Sequence, residues 1–365
     1  AIVFAPGRPD VSLLRAHMWR TIWRTVSAQQ VPGFYGPPAG DPELRVALAE
    51  YVRRARGLAC SPEEIVVTAG AMQALDLLAR ATLTPGDTVA FEEPGYVMAR
   101  QALIARGARI VPVAVDADGL DVEGLARLAA APPVAYVTPS HQFPLGVRMP
   151  IARRLALLAW AARHDSLVIE DDYDSEYRFD APPLPALASL DSEGRVLYLG
   201  TFSKMLSPAL RMGYMVVRAE AVRHEITRLR GITDFHPSWP LQRAFVALLR
   251  DGHLERHVWR MRRHYAEKRA LLRDMLAPLA PVAQLLGLEA GLHVVLTLRP
   301  DLDVAAIAER AGALGVWVML VENFYLGPPE RRGLLLGYGG LTTDEIVRGA
   351  TTLRDIIHHA AEHAQ

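Results

Sequence analysis

The sequence contains a single cysteine, Cys60, so no disulfide can form within the chain, and a cytoplasmic setting is expected. Its 40 basic and 40 acidic residues cancel, so the field of the whole molecule attracts neither nucleic acid nor an anionic membrane. No apolar run reaches the roughly 18 residues of a membrane span, and no signal-peptide pattern opens the chain. The chain starts at Ala1 without an initiator methionine, as expected of a piece excised from a longer protein.

Lysine is almost as scarce as cysteine, since Lys204 and Lys268 are the only two. Arginine cannot replace lysine in imine chemistry, because its guanidinium stays protonated and delocalised. Lys268 lies within the charged segment 262–269, which is typical of a helical face in water. Any mechanism in which an amine attacks an aldehyde therefore points to Lys204.

The order of apolar runs predicts an α/β fold with two unequal lobes, as a length of 365 residues favours. Near-continuous apolar runs that alternate with helical patterns indicate a mostly parallel sheet covered on both faces. We predict an N-terminal arm at 1–40, a large domain at 41–250 with seven strands, and a smaller α+β domain at 251–365. The predicted strands of the large domain are 65–68, 88–91, 109–113, 134–137, 167–169, 196–199 and 214–217.

Two predicted strand ends carry residues that suit a planar, phosphorylated ligand. Gly70 precedes Ala71 and Met72 at the start of a helix, whose free N–H groups can bind a phosphate. A tight strand-to-helix turn explains this segment about equally well. Tyr96 follows another strand and can stack on a heterocycle, although a packing role is the simpler interpretation.

A third strand ends in four acids within residues 170–174, EDDYD. Such a cluster is costly unless something positive lies beside it. A protonated pyridine nitrogen is one such partner. A divalent metal is the alternative, but no histidine-rich ligand set accompanies these acids.

The fourth strand end is the most specific. Residues 200–204, GTFSK, put Lys204 directly after a strand, where burial lowers the pKa of its amine. Thr201 and the downstream Arg211 can hold a phosphate.

Together these motifs resemble the fold-type I pyridoxal-phosphate proteins of the aminotransferase class I/II family over nearly the full length. The resemblance implies pyridoxal 5′-phosphate as cofactor, held as a Schiff base (internal aldimine) by Lys204. By the same resemblance Asp171 pairs with the pyridine nitrogen, Tyr173 lies near the phenolic oxygen, and Tyr96 stacks on the ring. The implied phosphate ligands are Ala71, Met72, Thr201 and Arg211, with Tyr35 reaching the phosphate of a partner subunit. A homodimer with shared sites follows.

Segments 140–146 (SHQFPLG), 170–177 (EDDYDSEY) and 200–204 resemble one branch, the aminotransferase-like effector domains of MocR-type regulators of the GntR family. In that branch a winged helix-turn-helix binds DNA upstream, and no such segment lies within this chain. An amine, an amino acid or the cofactor itself is the expected effector.

Three segments depart from working transaminases. Phe143 stands where an asparagine contacts the phenolic oxygen, and Ala69 and Ala71 replace hydroxyl-bearing residues of the phosphate turn. Leu335, in 334–338 (LLLGY), stands where an arginine clamps the substrate carboxylate, which an apolar side chain cannot do. Arg331 and Arg332 lie just upstream but would need a different loop path. The departures favour a sensor; a stand-alone dimeric aminotransferase is the alternative, and a decarboxylase or oxidase of the same fold is a third.

Overall fold

The computed structural model describes residues 1–179 and 184–363. An extended N-terminal segment contains the short strand β1 (Ile2–Val3) and leads into helices α1 (Ala16–Ser27) and α2 (Pro42–Arg56). Asp41 followed by Pro42 predicts a helix start, and Asp41 indeed caps α2 by accepting hydrogen bonds from the backbone N–H groups of residues 43 and 44. Helix α1 lies within the arm predicted at 1–40, and the sequence interpretation did not predict it.

A central sheet forms the large lobe, and its strands are buried on both faces as predicted, except for β4, which is partly exposed. The sheet has eight strands in the order β2-β9-β8-β7-β6-β3-β4-β5, with β9 and β5 antiparallel to their neighbours. The predicted number of seven is wrong by one, because β5 has only two residues and leaves no apolar run. The strands are β2 (Ile65–Thr68), β3 (Thr88–Glu93), β4 (Arg109–Asp116), β5 (Gly119–Leu120), β6 (Val134–Val137), β7 (Leu167–Asp172), β8 (Val196–Thr201) and β9 (Gly213–Val217).

Four crossover helices of this lobe lie within a few residues of the helices that the sequence predicts at about 72–82, 96–106, 122–129 and 151–163, whereas the short helix at 187–190 was not predicted. The carboxyl ends of β2, β3, β6, β7 and β8 lie at one edge of the sheet, where ligands bind in open α/β folds. The helices are α3 (Ala71–Thr82), α4 (Val97–Ile104), α5 (Val122–Ala126), α6 (Ile151–His164) and α7 (Leu187–Leu190).

Long helices and a second, four-stranded sheet make up the rest of the chain. None of the helices in the described ranges combines the length and the apolar character that crossing a membrane requires. The apolar run 316–320 predicts one strand, but it forms two, one of which pairs with β1 and the other with the small sheet. The elements are α8 (Glu220–Gly231), α9 (Trp239–Arg250), α10 (His253–Leu276), β10 (Ala283–Leu286), β11 (His293–Leu298), α11 (Val304–Ala313), β12 (Val316–Trp317), β13 (Met319–Leu320), β14 (Gly333–Gly337) and α12 (Thr343–His363).

The N-terminal segment corrects the prediction for Lys268. This lysine is only 3% exposed, because the segment before α1 lies across α10. Its ammonium donates hydrogen bonds to Asp10 Oδ2 at 2.7 Å and to the carbonyl of Gly339 at 3.0 Å. Lys268 is therefore a buried structural cation, not a solvated one, and it remains outside the cavity described next.

Candidate functional site

A cavity of about 590 Å³ opens at the carboxyl edge of the large sheet. It brings together most of the predicted site residues, which come from the ends of four strands, from the segments that follow them and from the segment that precedes β9. Gly70 lies just outside, where a Cβ atom would meet the guanidinium of Arg211 at 3.1 Å. The predicted residues that line the cavity are Ala71, Met72, Tyr96, Asp171, Tyr173, Thr201, Lys204 and Arg211.

Lys204 lies on the wall of this cavity. Burial lowers the pKa of its amine, and the nearby carboxylates of Asp174 and Asp171 partly offset that effect. Gly7 of the N-terminal segment covers the lysine so closely that a Cβ atom there would lie 2.7 Å from Nζ. A buried amine with a lowered pKa is the state in which lysine attacks a carbonyl.

The two carboxylate oxygens of Asp171, at the end of β7, have different surroundings. Its Oδ2 accepts a hydrogen bond of 2.6 Å from the hydroxyl of Tyr136, whose ring stacks on Phe91 at 4.6 Å. Its Oδ1 is buried and has no hydrogen-bond partner among the described residues. Burial raises the pKa of Asp171 to about 6, although the bond from Tyr136 lowers it. An unpartnered carboxylate oxygen beside the cavity fits a protonated heterocyclic nitrogen.

The other acids of the 170–174 cluster have different partners. Glu170 accepts from the backbone N–H groups of residues 187 and 188, at 2.8 Å each. Asp172 pairs with Arg56 at 2.7 Å, and Asp174 contacts His141 at 2.9 Å. The four acids therefore do not converge on one metal ion, and of them only Asp171 lines the cavity.

The opposite end of the cavity has the groups expected for a phosphate. The first-turn N–H groups of α3 lie there at Ala71 and Met72. Arg211 donates one hydrogen bond to the carbonyl of Ala69 at 2.7 Å, which orients its guanidinium. The hydroxyl of Thr201 lies 3.1 Å from that of Ser203, a cavity residue that the sequence interpretation did not name as a site residue.

Aromatic rings form the wall between the two lobes. Tyr96 lies edge-on to Phe143, with ring centroids 5.5 Å apart, and Phe143 lies edge-on to Tyr173 at 6.0 Å. The hydroxyl of Tyr173 is 3.1 Å from Nδ1 of His141. Neither Tyr136 nor His141 was predicted as a site residue, because each acts through a neighbour that is distant in sequence.

Tyr35 is the predicted site residue that lies away from this cavity. It is 76% exposed, and its ring stacks on that of Phe235 with centroids 4.4 Å apart. Its role in a partner's site remains a prediction.

The small lobe closes the cavity with mainly apolar residues. Met319, Asn323 and Phe324 line it, and Leu335 lies behind them in a buried cluster with Phe324. Leu335 is fully buried in β14 and is absent from the lining. Among the described lining residues, Lys204 and Arg211 are the only cations.

Comparison with known proteins agrees with this geometry. Residues 12–335 match the family described as "Aminotransferase class I and II". The chain is 37% identical over 360 residues to the probable rhizopine catabolism regulatory protein MocR of Rhizobium meliloti, covering 97% of this chain and 72% of that protein. It is 36% identical over 344 residues to the pyridoxine biosynthesis transcriptional regulator PdxR of Corynebacterium glutamicum, covering 94% and 73%.

A solved structure with a similar fold is that of Pyrococcus horikoshii kynurenine aminotransferase in complex with PMP. Its TM-score is 0.90 at 29% sequence identity, and the match covers 98% of this chain and 91% of that one. The likeness spans both lobes, including the cavity between them.

Proposed function

This chain belongs to the aminotransferase class I and II family, and on that premise we propose that it is the effector-sensing domain of a MocR-type transcription regulator. Its cofactor is pyridoxal 5′-phosphate. The bound cofactor supplies an electron-withdrawing ring to an amine attached at its aldehyde carbon. Everything else in the proposed function depends on what the protein's own side chains do around that ring.

Lys204 provides the amine that holds the cofactor covalently. The lowered pKa of its buried amine supports this role. Asp171 holds the proton on the pyridine nitrogen, a role supported by its unpartnered buried Oδ1. Lys204 would thus hold the cofactor at its aldehyde carbon, and Asp171 would hold it at its pyridine nitrogen.

The remaining contacts orient the cofactor. Arg211, Thr201 and the N–H groups at the start of α3 bind the phosphate. Tyr96 packs on the ring face and Tyr173 lies at its phenolic edge, which their positions on the cavity wall support. These residues would hold the cofactor at its phosphate and along its ring, while Asp171 would hold its pyridine nitrogen.

The single observation that favours a sensor is the distribution of cations in the cavity. Lys204 and Arg211 are both assigned to the cofactor, so the described lining leaves no cation to clamp the carboxylate of an amino acid. Without such a clamp the reacting bond of an α-amino acid is poorly oriented, and losing orientation lowers rate more than it lowers binding. A ligand can then bind and change the protein's state without fast conversion.

A second candidate is a dimeric aminotransferase. The buried amine of Lys204 is suited to proton transfer as well as to covalent attachment, because burial lowers its pKa and so raises the fraction of the amine that is unprotonated at a given pH. The kynurenine aminotransferase with a similar fold is an enzyme of that class.

One experiment separates the two candidates. The cofactor-loaded protein is mixed with a panel of α- and ω-amino acids while its visible absorbance is followed. A sensor should shift its spectrum with few of them and convert them far more slowly than the roughly 1–10³ s⁻¹ of typical enzymes. Rapid turnover of a common amino acid would make the aminotransferase the correct assignment.

We also propose that the protein works as a homodimer with shared sites. Tyr35 and Phe34 are 76% and 92% exposed in the single chain, an unusual state for aromatic side chains. An interface that covers them would bring Tyr35 to the partner's phosphate. Sedimentation of the loaded protein at micromolar concentration tests this directly, and a monomer with full cofactor content would contradict it.

A further inference from the structure

A buried histidine–aspartate pair lies directly behind Tyr173. Nδ1 of His141 is 2.9 Å from Asp174 Oδ2 and 3.1 Å from the Tyr173 hydroxyl. The side chains of His141 and Asp174 are 1% and 2% exposed. Nε2 of His141 and Oδ1 of Asp174 have no hydrogen-bond partner among the described residues. Backbone closes around the ring so tightly that a Cβ atom at Gly291 would lie 2.1 Å from it.

The charge of Asp174 determines which nitrogen of His141 carries the hydrogen. A carboxylate can only accept hydrogen bonds, so the nitrogen that faces it must be the donor. Nδ1 is therefore protonated and has no lone pair to offer. It cannot accept a hydrogen bond from Tyr173, although it lies within reach of that hydroxyl.

This tautomer determines where the hydroxyl hydrogen of Tyr173 points. With Nδ1–H shared between Asp174 and the phenol oxygen, Tyr173 accepts from His141 and keeps its own hydrogen for another partner. Within the described part of the chain, His141 is the only residue that hydrogen-bonds to this hydroxyl. Burial raises the pKa of Tyr173 well above its ordinary value, and Asp174 adds to that effect, so the phenol stays protonated. Tyr173 lines the cavity and is thus a donor towards whatever occupies it.

We propose that His141 and Asp174 are positioning residues that hold Tyr173 as a hydrogen-bond donor to the phenolic oxygen of the cofactor. The inference rests on the cofactor placement given under the proposed function, but not on the choice between sensor and enzyme. It has particular weight in this chain because Phe143 occupies the position of the asparagine that contacts the same oxygen in working transaminases. Tyr173 then carries that contact alone.

The donor has a measurable electronic effect. A hydrogen bond donated to the phenolic oxygen makes that oxygen a weaker acceptor for the proton on the linkage to Lys204. The proton is then lost at lower pH, and the visible band titrates at a lower pH than it would without the donor. Removing one such bond should raise the midpoint of that titration by about one pH unit.

Other ionisable groups surround the pair and must stay unchanged for the comparison to hold. His293 lies beside His141 with ring centroids 4.8 Å apart, and burial keeps the pKa of His293 well below its ordinary value. Tyr338 and Lys204 interact electrostatically with Asp174, and Asp171 interacts with Tyr173. The variants below leave His293, Tyr338, Lys204 and Asp171 unaltered.

The test is a pH titration of the visible absorbance of the cofactor-loaded protein. Tyr173→Phe shows how far the midpoint of the titration moves when the donor is lost completely. His141→Phe removes the nitrogen but keeps a ring, whereas His141→Asn keeps an amide N–H near the position of Nδ1. Asp174→Asn is isosteric and reverses the hydrogen-bond polarity, because its amide donates to Nδ1 and converts that nitrogen to an acceptor. It provides a second route if His141→Phe does not fold.

We expect Tyr173→Phe and His141→Phe to raise the midpoint by about one pH unit, and His141→Asn to stay within a few tenths of the parent. Asp174→Asn should raise it by less, because this variant also removes a carboxylate whose charge raises the pKa at Lys204. A midpoint in His141→Phe equal to that of the parent, or in Asp174→Asn no higher than that of the parent, beside a shifted Tyr173→Phe, would overturn the inference and leave the cofactor placement standing. A shift in His141→Asn as large as in His141→Phe would also overturn it.

Two further results would count against the pair. If Tyr173→Phe itself leaves the titration unchanged, the cofactor does not lie against Tyr173, and both the placement and this inference fail. His141, Asp174 and His293 could alternatively hold a divalent cation, since each has a ligand atom within 4.8 Å of the others. One equivalent of zinc per chain in the purified protein would overturn the inference, because a metal-bound Nδ1 carries no hydrogen.

Discussion

The two sides of the cavity have opposite chemistry. The large-lobe side presents Asp171, Lys204 and Arg211, whereas the small-lobe side presents Met319 and Phe324. On the first side, Asp171 and Lys204 lie close together in a medium of low dielectric constant, so each one shifts the pKa of the other. On the second side Met319 and Phe324 are apolar and Asn323 is uncharged, so this side offers no cation to a carboxylate. We infer from this difference that the site is highly selective for the cofactor and poorly selective among carboxylate ligands that bind after the cofactor.

The largest effect on the charged side should come from removing the covalent attachment between Lys204 and the cofactor. Lys204→Ala should eliminate the visible absorbance band completely while the protein stays folded, as measured by absorbance and circular dichroism. Lys268 cannot substitute, since its ammonium is buried against Asp10. Lys268→Arg, which keeps a cation beside Asp10, should retain the band. A Lys204→Ala protein with an unchanged visible spectrum would refute the assignment of Lys204.

A second variant puts a charge on the apolar side. Leu335→Arg should lower the free energy of unfolding by roughly 3–5 kcal/mol, because an unpaired guanidinium would be buried in the cluster around Phe324. Leu335→Met, which conserves volume, should cost less than about 1.5 kcal/mol. Thermal melts measure both.

The same variant sharpens the comparison when a ligand is added. If millimolar α-amino acid restores the stability of Leu335→Arg selectively, residue 335 reaches the cavity and a carboxylate clamp can be rebuilt there. Stability equal to that of the parent without any ligand would show that the small-lobe side is not the apolar side described above.

The third variant acts on the charged side. Burial raises the pKa of Asp171 from 3.8 to about 6, so in the cofactor-free protein the folded state holds this proton more tightly than the unfolded state. Stability therefore falls as the pH rises from about 4 to about 6, and at pH 7 the ionised carboxylate costs about 2–3 kcal/mol. Asp171→Asn should recover that amount without cofactor, and the gain should disappear below about pH 4.

With cofactor the sign reverses, because Asp171→Asn loses the charge-assisted bond to the pyridine nitrogen and should retain the cofactor less tightly. Urea unfolding at several pH values, together with dialysis of the loaded protein, measures both effects. Asp118→Asn, at an exposed aspartate, is the matched control. Equal cofactor retention in Asp171→Asn and the parent would mean that another group holds the pyridine nitrogen.

The smallest effect concerns the exposed aromatic arm. Tyr35→Phe keeps the ring that stacks on Phe235 and removes only the hydroxyl. Loss of one phosphate contact across a dimer interface should weaken cofactor binding by about 1 kcal/mol, or about fivefold. Fluorescence titration of the cofactor-free protein measures this, with sedimentation confirming that the dimer persists. Unchanged affinity in a persistent dimer would remove Tyr35 from the site.

The large lobe could be predicted closely from the sequence because its strands are buried on both faces. Strands 65–68 and 134–137 have the predicted bounds, since continuous apolar runs next to turn residues leave little choice of register. Helix α1 was missed although its three buried residues, Met18, Ile22 and Val26, have the four-residue spacing of one helical face. No side chain caps its start, so the usual signal of a helix beginning is absent.

The site residues likewise divide into those that could be predicted from the sequence and those that could not. Residues that follow strand ends, such as Asp171 and Lys204, could be predicted because chain order alone puts them at the edge of the sheet. Tyr136 and His141 could not, because their importance depends on which oxygen of Asp171 or Asp174 each one meets. Lys268 was placed wrongly for a related reason: a charged helical face predicts exposure only if no other segment covers it.

The close approach of Gly7 to Lys204 has a consequence for mutational tolerance. Gly7 and Gly57 have the same φ of 65°, yet a Cβ atom at Gly57 would meet nothing within 4 Å. Asparagine, which enters this backbone region more readily than most residues, is therefore sterically acceptable at Gly57. At Gly7 any side chain would collide with the amine of Lys204 as well as strain the backbone. In a saturation library selected for cofactor binding, position 57 should admit variants and position 7 should return glycine alone.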